Sequence, residues 1–226
     1  MARKNTTKTN PLFHTITFLL NGIDNYIWII LFVVIALGGA GKWYRMRMTN
    51  QEQLAQRVYT EALDEFQRGL AGYDAAWPNI VRLVDVAYER HASSTVAPYL
   101  LALKADALVR EDKQDEAINT MSTALEKIPT TSPLYFLYKT KQALMMLDSK
   151  QEQIKQNGIN VLRKLAQNND NTNNDMARFY LGSYYIAIGD KKTGEPLLVS
   201  LMESQEGQES KSPWVEKAEQ LLQTIS

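Results

Sequence analysis

Few residues in this sequence of 226 amino acids are suited to catalytic or metal chemistry. The sequence has no cysteine, which excludes disulfides, thiolate nucleophiles and cysteine-ligated metal sites. A metal site at either of its two histidines, His14 and His91, would need further ligands, and we interpret both as surface or interfacial residues. There is no glycine-rich phosphate loop, GxSxG elbow or HExxH motif. The sequence therefore predicts a protein that is not an enzyme and binds no metal, cofactor or small-molecule substrate.

The charged residues point to helix ends and to an acidic domain. Adjacent carboxylates such as Asp115 and Glu116 lie at a predicted helix start, where the helix dipole favours them, so they need no catalytic role. The net charge is +5 over residues 1–48 and −5 over residues 49–226. An acidic domain is a poor electrostatic partner for nucleic acid, and we expect none to bind.

Aromatic residues are the stronger candidates for a function. They fall on the predicted first helices of helix pairs, at Tyr99, Tyr135, Phe136, Tyr138, Phe179, Tyr180, Tyr184 and Tyr185. Most should pack between helices, but in stacked helix pairs the first helices also line a concave surface. The residues predicted on its inner face are Tyr99, Asp106 and Arg110 from one pair and Met176, Phe179 and Ser183 from another. This face is a candidate binding site for a peptide or protein segment.

An uncharged run near the N-terminus predicts a single membrane span. Asn25 to Gly41 are 17 consecutive uncharged residues, the short end of the ~17–25 that cross a bilayer. Tyr26 and Trp28 at one end, and Lys42, Trp43 and Tyr44 at the other, suit the two headgroup layers. We therefore predict an N-terminal tail over 1–24, a transmembrane helix over 25–44 and a helical domain over 45–226.

Two other interpretations of this run fit less well. A buried core helix would rarely lack any charge over four turns. In a cleaved signal peptide the segment before the apolar run is short, whereas ~25 residues precede the run here. Upstream, the uncharged segment over 11–23 contains Asn21 and Gly22 and is followed by Asp24 and Asn25. Because an aspartate near mid-bilayer is costly, we interpret this segment as interfacial. Three basic residues lie on each side of the span, so the positive-inside rule does not decide its orientation.

After Met48 the apolar residues follow helical spacing. Thr49 to Glu52 predict a capping box opening a helix that ends near Gly69 or Gly72. Its predicted inner face is Leu54, Val58, Ala62 and Phe66. A second helix is predicted over 79–91, with a buried stripe of Ile80, Leu83, Val84, Ala87 and Tyr88.

Two later segments share a spacing of small residues. Ala117, Ala124 and Pro129 follow Ala105 by 12, 19 and 24 residues, while Gly194 and Leu201 follow Gly182 by 12 and 19. The two segments resemble helix pairs of the 34-residue tetratricopeptide repeat (TPR), in which small residues mark close helix contacts. Between them, residues 133–167 form a longer pair whose second helix is offset by 41, which predicts about two extra helical turns.

The C-terminal region predicts loops and a capping helix. Residues 168–175 and 203–212 are polar loops, and Ser212-Pro213 then starts a helix ending at Ile225. Its apolar residues should cover the open end of the stack: Trp214, Val215, Ala218, Leu221 and Leu222. The predicted fold class is all-α: one N-terminal transmembrane helix, then a TPR-like α-solenoid of antiparallel helix pairs with a C-terminal capping helix.

The order of parts resembles the YfgM family over roughly residues 25–205. The resemblance rests on a basic-aromatic stretch after the span (GKWYR, 41–45) and on TPR-like segments (YLLALKADA, 99–107, and IGDKKTG, 188–194). It implies a single-pass protein of the bacterial inner membrane with a cytoplasmic N-terminus and a periplasmic domain. It also implies association with the SecYEG translocon, with PpiD-like periplasmic chaperones and with nascent secretory chains. It implies no catalytic residue.

Three hypotheses follow. The first is a non-enzymatic scaffold, anchored by one span, that holds a chaperone or nascent chain near a protein-conducting channel. The second is an adaptor that organises envelope assembly or cell division through the TPR groove. The third is a cytosolic receptor for acidic C-terminal tails, which the acidic domain and the non-basic inner face disfavour.

Overall fold

The computed structural model describes residues 49–168, 170–204 and 212–225, together with Lys42 and Met46. The predicted span, the segment over 11–23, His14 and the anchor residues Tyr26, Trp28, Trp43 and Tyr44 lie outside these residues. Lys42, the remaining predicted anchor residue, is helical and exposed. Among the described residues, no helix has both the length and the apolar character needed to cross a bilayer.

The chain divides into two units, Met1–Gln51 and Glu52–Ser226, and the second contains the candidate site. Over the described residues the chain is all-helical, as predicted. The helices are α1 (49–70), α2 (Ala76–His91), α3 (Ala97–Arg110), α4 (Gln114–Lys127), α5 (Tyr135–Leu147), α6 (Glu152–Gln167), α7 (Asn174–Ala187), α8 (Lys191–Glu203) and α9 (Pro213–Ile225). Short connections join consecutive helices, which makes neighbours antiparallel.

Small residues set the contact within each pair, as the sequence predicts. Ala105 of α3 and Ala117 of α4 are fully buried. In the next pair, a Cβ added to Gly158 would lie 2.9 Å from the carbonyl oxygen of Ala143. In the last pair, a Cβ on Gly194 would lie 2.8 Å from the carbonyl oxygen of Gly182. The TPR-like pairs α3/α4 and α7/α8 are therefore confirmed, and α5/α6 is built in the same way.

The predicted extra helical turns in the middle pair are wrong. Helices α5 and α6 have 13 and 16 residues, against 14 each in α3 and α4. The additional residues lie mainly in the connections over 128–134 and 148–151. A change in offset along the sequence cannot distinguish longer helices from longer loops.

The structure also corrects the starts of the first two helices. Thr49 is itself helical, as are Met46 and Lys42, so it is not an N-cap. The Glu52 carboxylate instead accepts a hydrogen bond from the backbone N–H of Thr95, at 3.0 Å, and another from its hydroxyl. Helix α2 begins at Ala76 rather than Asn79, since proline is tolerated in a first helical turn.

The buried face of α1 differs by one position from the prediction. Leu54 is 46% exposed, whereas the neighbouring Ala55 is fully buried. Ala62 is also fully buried, and Val58 and Phe66 pack partly buried against the same core. The apolar stripe therefore begins at Ala55.

Buried residues form three successive clusters along the second unit. The first lies on α1 to α5, the second on α5 to α7, with Leu197 of α8 packed against it, and the third on α7 to α9. The predicted capping helix is confirmed, because Val215 and Ala218 of α9 are buried against Leu198 and Leu201 of α8. Each element thus packs mainly on its neighbours in sequence, as in repeat proteins.

Candidate functional site

Three tyrosines mark a surface shared by the helices α1, α3 and α5. The rings of Tyr99 and Tyr138 lie 5.9 Å apart between centroids. Burial, with smaller effects of Tyr59, Asp106 and Tyr99, raises the pKa of Tyr138 to about 12. Burial and the neighbouring Tyr99 also raise the pKa of Tyr59. We call this surface, defined by Tyr59, Phe66, Tyr99, Asp106, Tyr138 and Lys141, the first-helix face.

An ion pair crosses the first-helix face between α3 and α5. The Lys141 ammonium donates a hydrogen bond to the Asp106 carboxylate and lies 5.7 Å from the centre of the Tyr138 ring. Burial raises the pKa of Asp106, although Lys141 and Arg110 each act to lower it. The pair is therefore partly removed from water, where charged groups interact more strongly than on an open surface.

A cavity of about 290 Å³ opens beside this ion pair. Four of its lining residues are apolar and four are charged: Phe66, Val109, Leu144 and Met145, then Asp106, Arg110, Lys141 and Asp148. The Arg110 guanidinium lies 5.6 Å from the centre of the Trp77 ring, and Trp77 in turn contacts Phe66 at 5.5 Å. Stacking of this kind holds the arginine against the aromatic wall.

A second cavity of about 340 Å³ adjoins the first and shares Val109 and Asp148 with it. Its other lining residues are Asp112, Gln114, Asp115, Lys150 and Gln151. Three aspartates face one lysine in this lining, so we call it the acidic cavity. It is built by the end of α3, the start of α4 and the connections that follow α3 and α5.

The predicted inner-face residues fall into two groups. Tyr99, Asp106 and Arg110 all lie on α3, near α1 and α5, and contribute to the first-helix face and its cavity. Phe179 instead packs against Trp214 of α9, at 5.4 Å, and Met176 is only 6% exposed. The Ser183 hydroxyl is buried and has no hydrogen-bond partner among the described residues. A binding role for the second group stays a prediction.

Several residues of the face were not predicted from the sequence. Lys141, Phe66 and Leu144 line the cavity, but nothing in the sequence distinguishes them from other residues of amphipathic helices. The sequence does contain a usable signal. Lys141 and Asp106 carry opposite charges and lie 35 residues apart, and this separation is close to the length of one repeat. Residues one repeat apart occupy similar places on adjacent pairs and can therefore touch.

Two other polar residues are structural. His91, predicted at the surface, is 9% exposed at the end of α2. The ammonium of Lys104, on α3, lies 2.6 Å from Asp85 and 3.9 Å from Glu116. It therefore links α2, α3 and α4. In the described part of the chain, no group of histidine and carboxylate residues is placed to hold a metal ion.

No family model and no curated protein matches this chain. It is similar to a crystal structure of nearly identical TPR-like repeats of a kinesin light chain-like protein from Podosopora anserina. The two are 14% identical, with a TM-score of 0.49, over 79% of this chain and 92% of that chain. The TPR-like description of this protein rests on its own antiparallel helix pairs and on the small residues at their contacts.

Proposed function

We propose that this protein is a non-enzymatic, membrane-anchored scaffold whose first-helix face binds an extended segment of a partner protein. The observation that carries the proposal is the tyrosine-lined face beside a cavity whose lining is half apolar. Tyrosine offers a large, rigid contact area together with a hydroxyl group, which is why it is enriched where proteins bind one another. Adjacent pairs present these rings side by side, an arrangement that suits a chain lying across several helices.

The size of the cavity favours a protein segment over a small metabolite. At about 290 Å³ it lies just below the ~300–1,000 Å³ typical of ligand pockets. Three of its four charged residues already contact one another or an aromatic ring, through the Asp106–Lys141 pair and the Arg110–Trp77 contact. One apolar side chain of a bound segment could fill it while the rest of the segment lies on the tyrosines.

The finer proposal concerns place and partners. We propose that the domain lies in the periplasm of a bacterium, next to the SecYEG translocon, and holds a PpiD-like chaperone or a nascent secretory chain. The uncharged run over 25–41 and the resemblance to the YfgM family support this proposal. The alternative is an adaptor for envelope assembly or cell division, using the same face.

Site-specific photo-cross-linking in cells tests the binding face. A photoreactive residue at Tyr99 or Arg110 should capture a partner, whereas one at the exposed Lys164 on the second helix α6 should not. Capture of translocon or chaperone subunits would support the finer proposal. Capture of division or outer-membrane machinery would favour the adaptor, and equal yields from Lys164 and Tyr99 would contradict binding at this face.

The absence of cysteine gives a direct test of the side of the membrane. A cysteine introduced at Ser226 should react with a membrane-impermeant maleimide once the outer membrane alone is opened. Protection until the inner membrane is broken would place the domain in the cytoplasm and contradict the translocon proposal. A helical circular dichroism spectrum like that of the unmodified chain checks that the variant is folded.

A further inference from the structure

We infer that the segment bound at the first-helix face carries an apolar side chain followed or preceded closely by lysine or arginine. This inference rests on the proposed function and specifies which segments the face selects. It comes from the acidic cavity, which adjoins the first cavity and shares two lining residues with it.

The apolar half of the recognition lies in the first cavity. Phe66, Val109, Leu144 and Met145 come from α1, α3 and α5 and present carbon surfaces around the same space. Burial of an apolar side chain there is favourable in proportion to the area removed from water. Methionine is also adaptable in shape, so the cavity suits aliphatic or aromatic side chains without strict choice among them.

The basic half lies in the acidic cavity. Asp112 and Asp148 are exposed and form no ion pair with another described residue, whereas Asp115 accepts a hydrogen bond from Gln151 at 3.3 Å. Lys150 is the only cation among the lining residues of this cavity. A bound lysine or arginine would therefore meet surplus negative charge, and a bound glutamate would be repelled.

The cations of the first cavity do not offset this preference. Lys141 is paired with Asp106, and Arg110 lies over Trp77 and close enough to Asp106 to lower its pKa. Residues 52–226 as a whole are acidic by five charges, which adds a long-range attraction for basic segments. The local and the overall charge therefore favour the same kind of partner.

Peptide binding to the full-length chain tests this inference. The chain is placed in nanodiscs of zwitterionic lipid, and fluorescence anisotropy follows three labelled peptides of equal length in a glycine-serine background. One carries leucine and arginine, one leucine and glutamate, and one serine and arginine. The leucine-arginine peptide should bind about five- to tenfold more tightly than either other peptide. Its advantage over the leucine-glutamate peptide should shrink with added salt, because that difference is electrostatic.

A paired set of variants locates the charge preference. Asp112→Asn combined with Asp148→Asn should weaken the leucine-arginine peptide about three- to tenfold and leave the leucine-glutamate peptide unchanged or tighter. Asparagine suits position 112, where φ is +59°, because it tolerates the left-handed region. The matched control Asp170→Asn, on an exposed loop before α7, should change nothing.

The outcomes separate this inference from the proposed function. Equal affinity of the unmodified chain for the leucine-arginine and leucine-glutamate peptides would overturn the inference. So would a double variant that binds as the unmodified chain does. If Tyr99 still cross-links a partner in cells, the proposed function survives either result. If no peptide binds and Tyr99 cross-links no partner, the results contradict the proposed binding face. Empty nanodiscs control for binding to lipid.

Discussion

Tyr138 lies where the rings and charges of three helices meet. Burial, together with Tyr59, Asp106 and Tyr99, raises its pKa from 10.0 to about 12, so the folded chain keeps a phenolic proton that the unfolded chain loses above pH 10. Between about pH 10 and 12 this group binds more protons in the folded state, and its contribution to stability therefore falls as pH rises. In Tyr138→Phe, we expect the unfolding free energy to fall less steeply in this pH window.

Absorbance titration of phenolate and denaturant unfolding at several alkaline pH values check this expectation. The unmodified chain should show a late-titrating phenol that Tyr138→Phe lacks. The matched control, Tyr73→Phe at a ring that is 50% exposed, should keep that late component. A late component of unchanged size in Tyr138→Phe would show that another tyrosine is responsible.

Asn171 fixes the connection between α6 and α7. It is 1% exposed, its side-chain amide donates to the carbonyl of Leu165 at 2.9 Å, and its side-chain oxygen accepts from the N–H of Asn173 at 2.9 Å. Asn171→Ala would leave both groups buried without this partner, and we expect a loss of about 1–3 kcal/mol in unfolding free energy. Thr172→Ala, at the exposed neighbouring position, should change stability little. Denaturant unfolding measures both, and equal stability of the two variants would contradict the role of Asn171.

At the scale of residues, the sequence predicts where a loop lies better than it predicts how buried each residue of that loop is. Polar composition correctly places a connection around Asn171, yet it cannot show that one asparagine among several is buried. His91 likewise reads as a surface residue, but it is 9% exposed. The Asp106–Lys141 pair depends on how two repeats stack, which local spacing does not reveal.

At the scale of helices, Gly194 sets the distance between α7 and α8. A Cβ there would lie 2.8 Å from the carbonyl oxygen of Gly182 and 2.8 Å from Ile186. Because one of these neighbours is backbone, Gly194→Ala must move the helices apart. We expect a net loss of about 1–2 kcal/mol, since the overlap outweighs the better helix propensity of alanine.

The matched control for this prediction is Glu195→Ala, the next and exposed residue on α8. It should be neutral or slightly stabilising, because alanine favours helix and no contact is lost. Denaturant unfolding followed by circular dichroism compares the two variants. Stability of Gly194→Ala equal to that of the control would show that the pair can accept a wider spacing at no cost.

Helix pairing could be predicted because the small residues that permit it recur at fixed spacing, as Ala105 and Ala117 do. Helix starts could not be predicted as well. Thr49 to Glu52 match a capping box, but Glu52 binds Thr95, which lies 43 residues away in sequence. Helix α2 begins at Ala76 rather than at the predicted residue 79, because a first helical turn tolerates Pro78. Local motifs therefore compete with tertiary contacts, and at these sites the tertiary contacts determine the structure.

At the scale of the molecule, the core consists of three clusters, so we expect a substitution in one cluster to destabilise mainly the helices that form it. Leu201 of α8 is fully buried in the third cluster, which shares no residue with the first. Leu201→Ala should cost about 2–5 kcal/mol and speed amide hydrogen exchange in α7 to α9 far more than in α2 to α4. Val199→Ala, on a side chain of α8 that is 41% exposed, is the control and should leave exchange nearly unchanged. A uniform increase along the chain would indicate one cooperative unit instead.

The connections over 128–134 and 148–151 carry the extra length of the middle pair. Insertions and deletions in these loops over evolutionary time would leave the helix registers, and hence the tyrosine rings, in place. Asp148, Lys150 and Gln151 belong to the acidic cavity and to this second connection. Divergence in loop length could therefore change the charge preference of a descendant protein while preserving its scaffold, so that partner choice and fold can evolve separately.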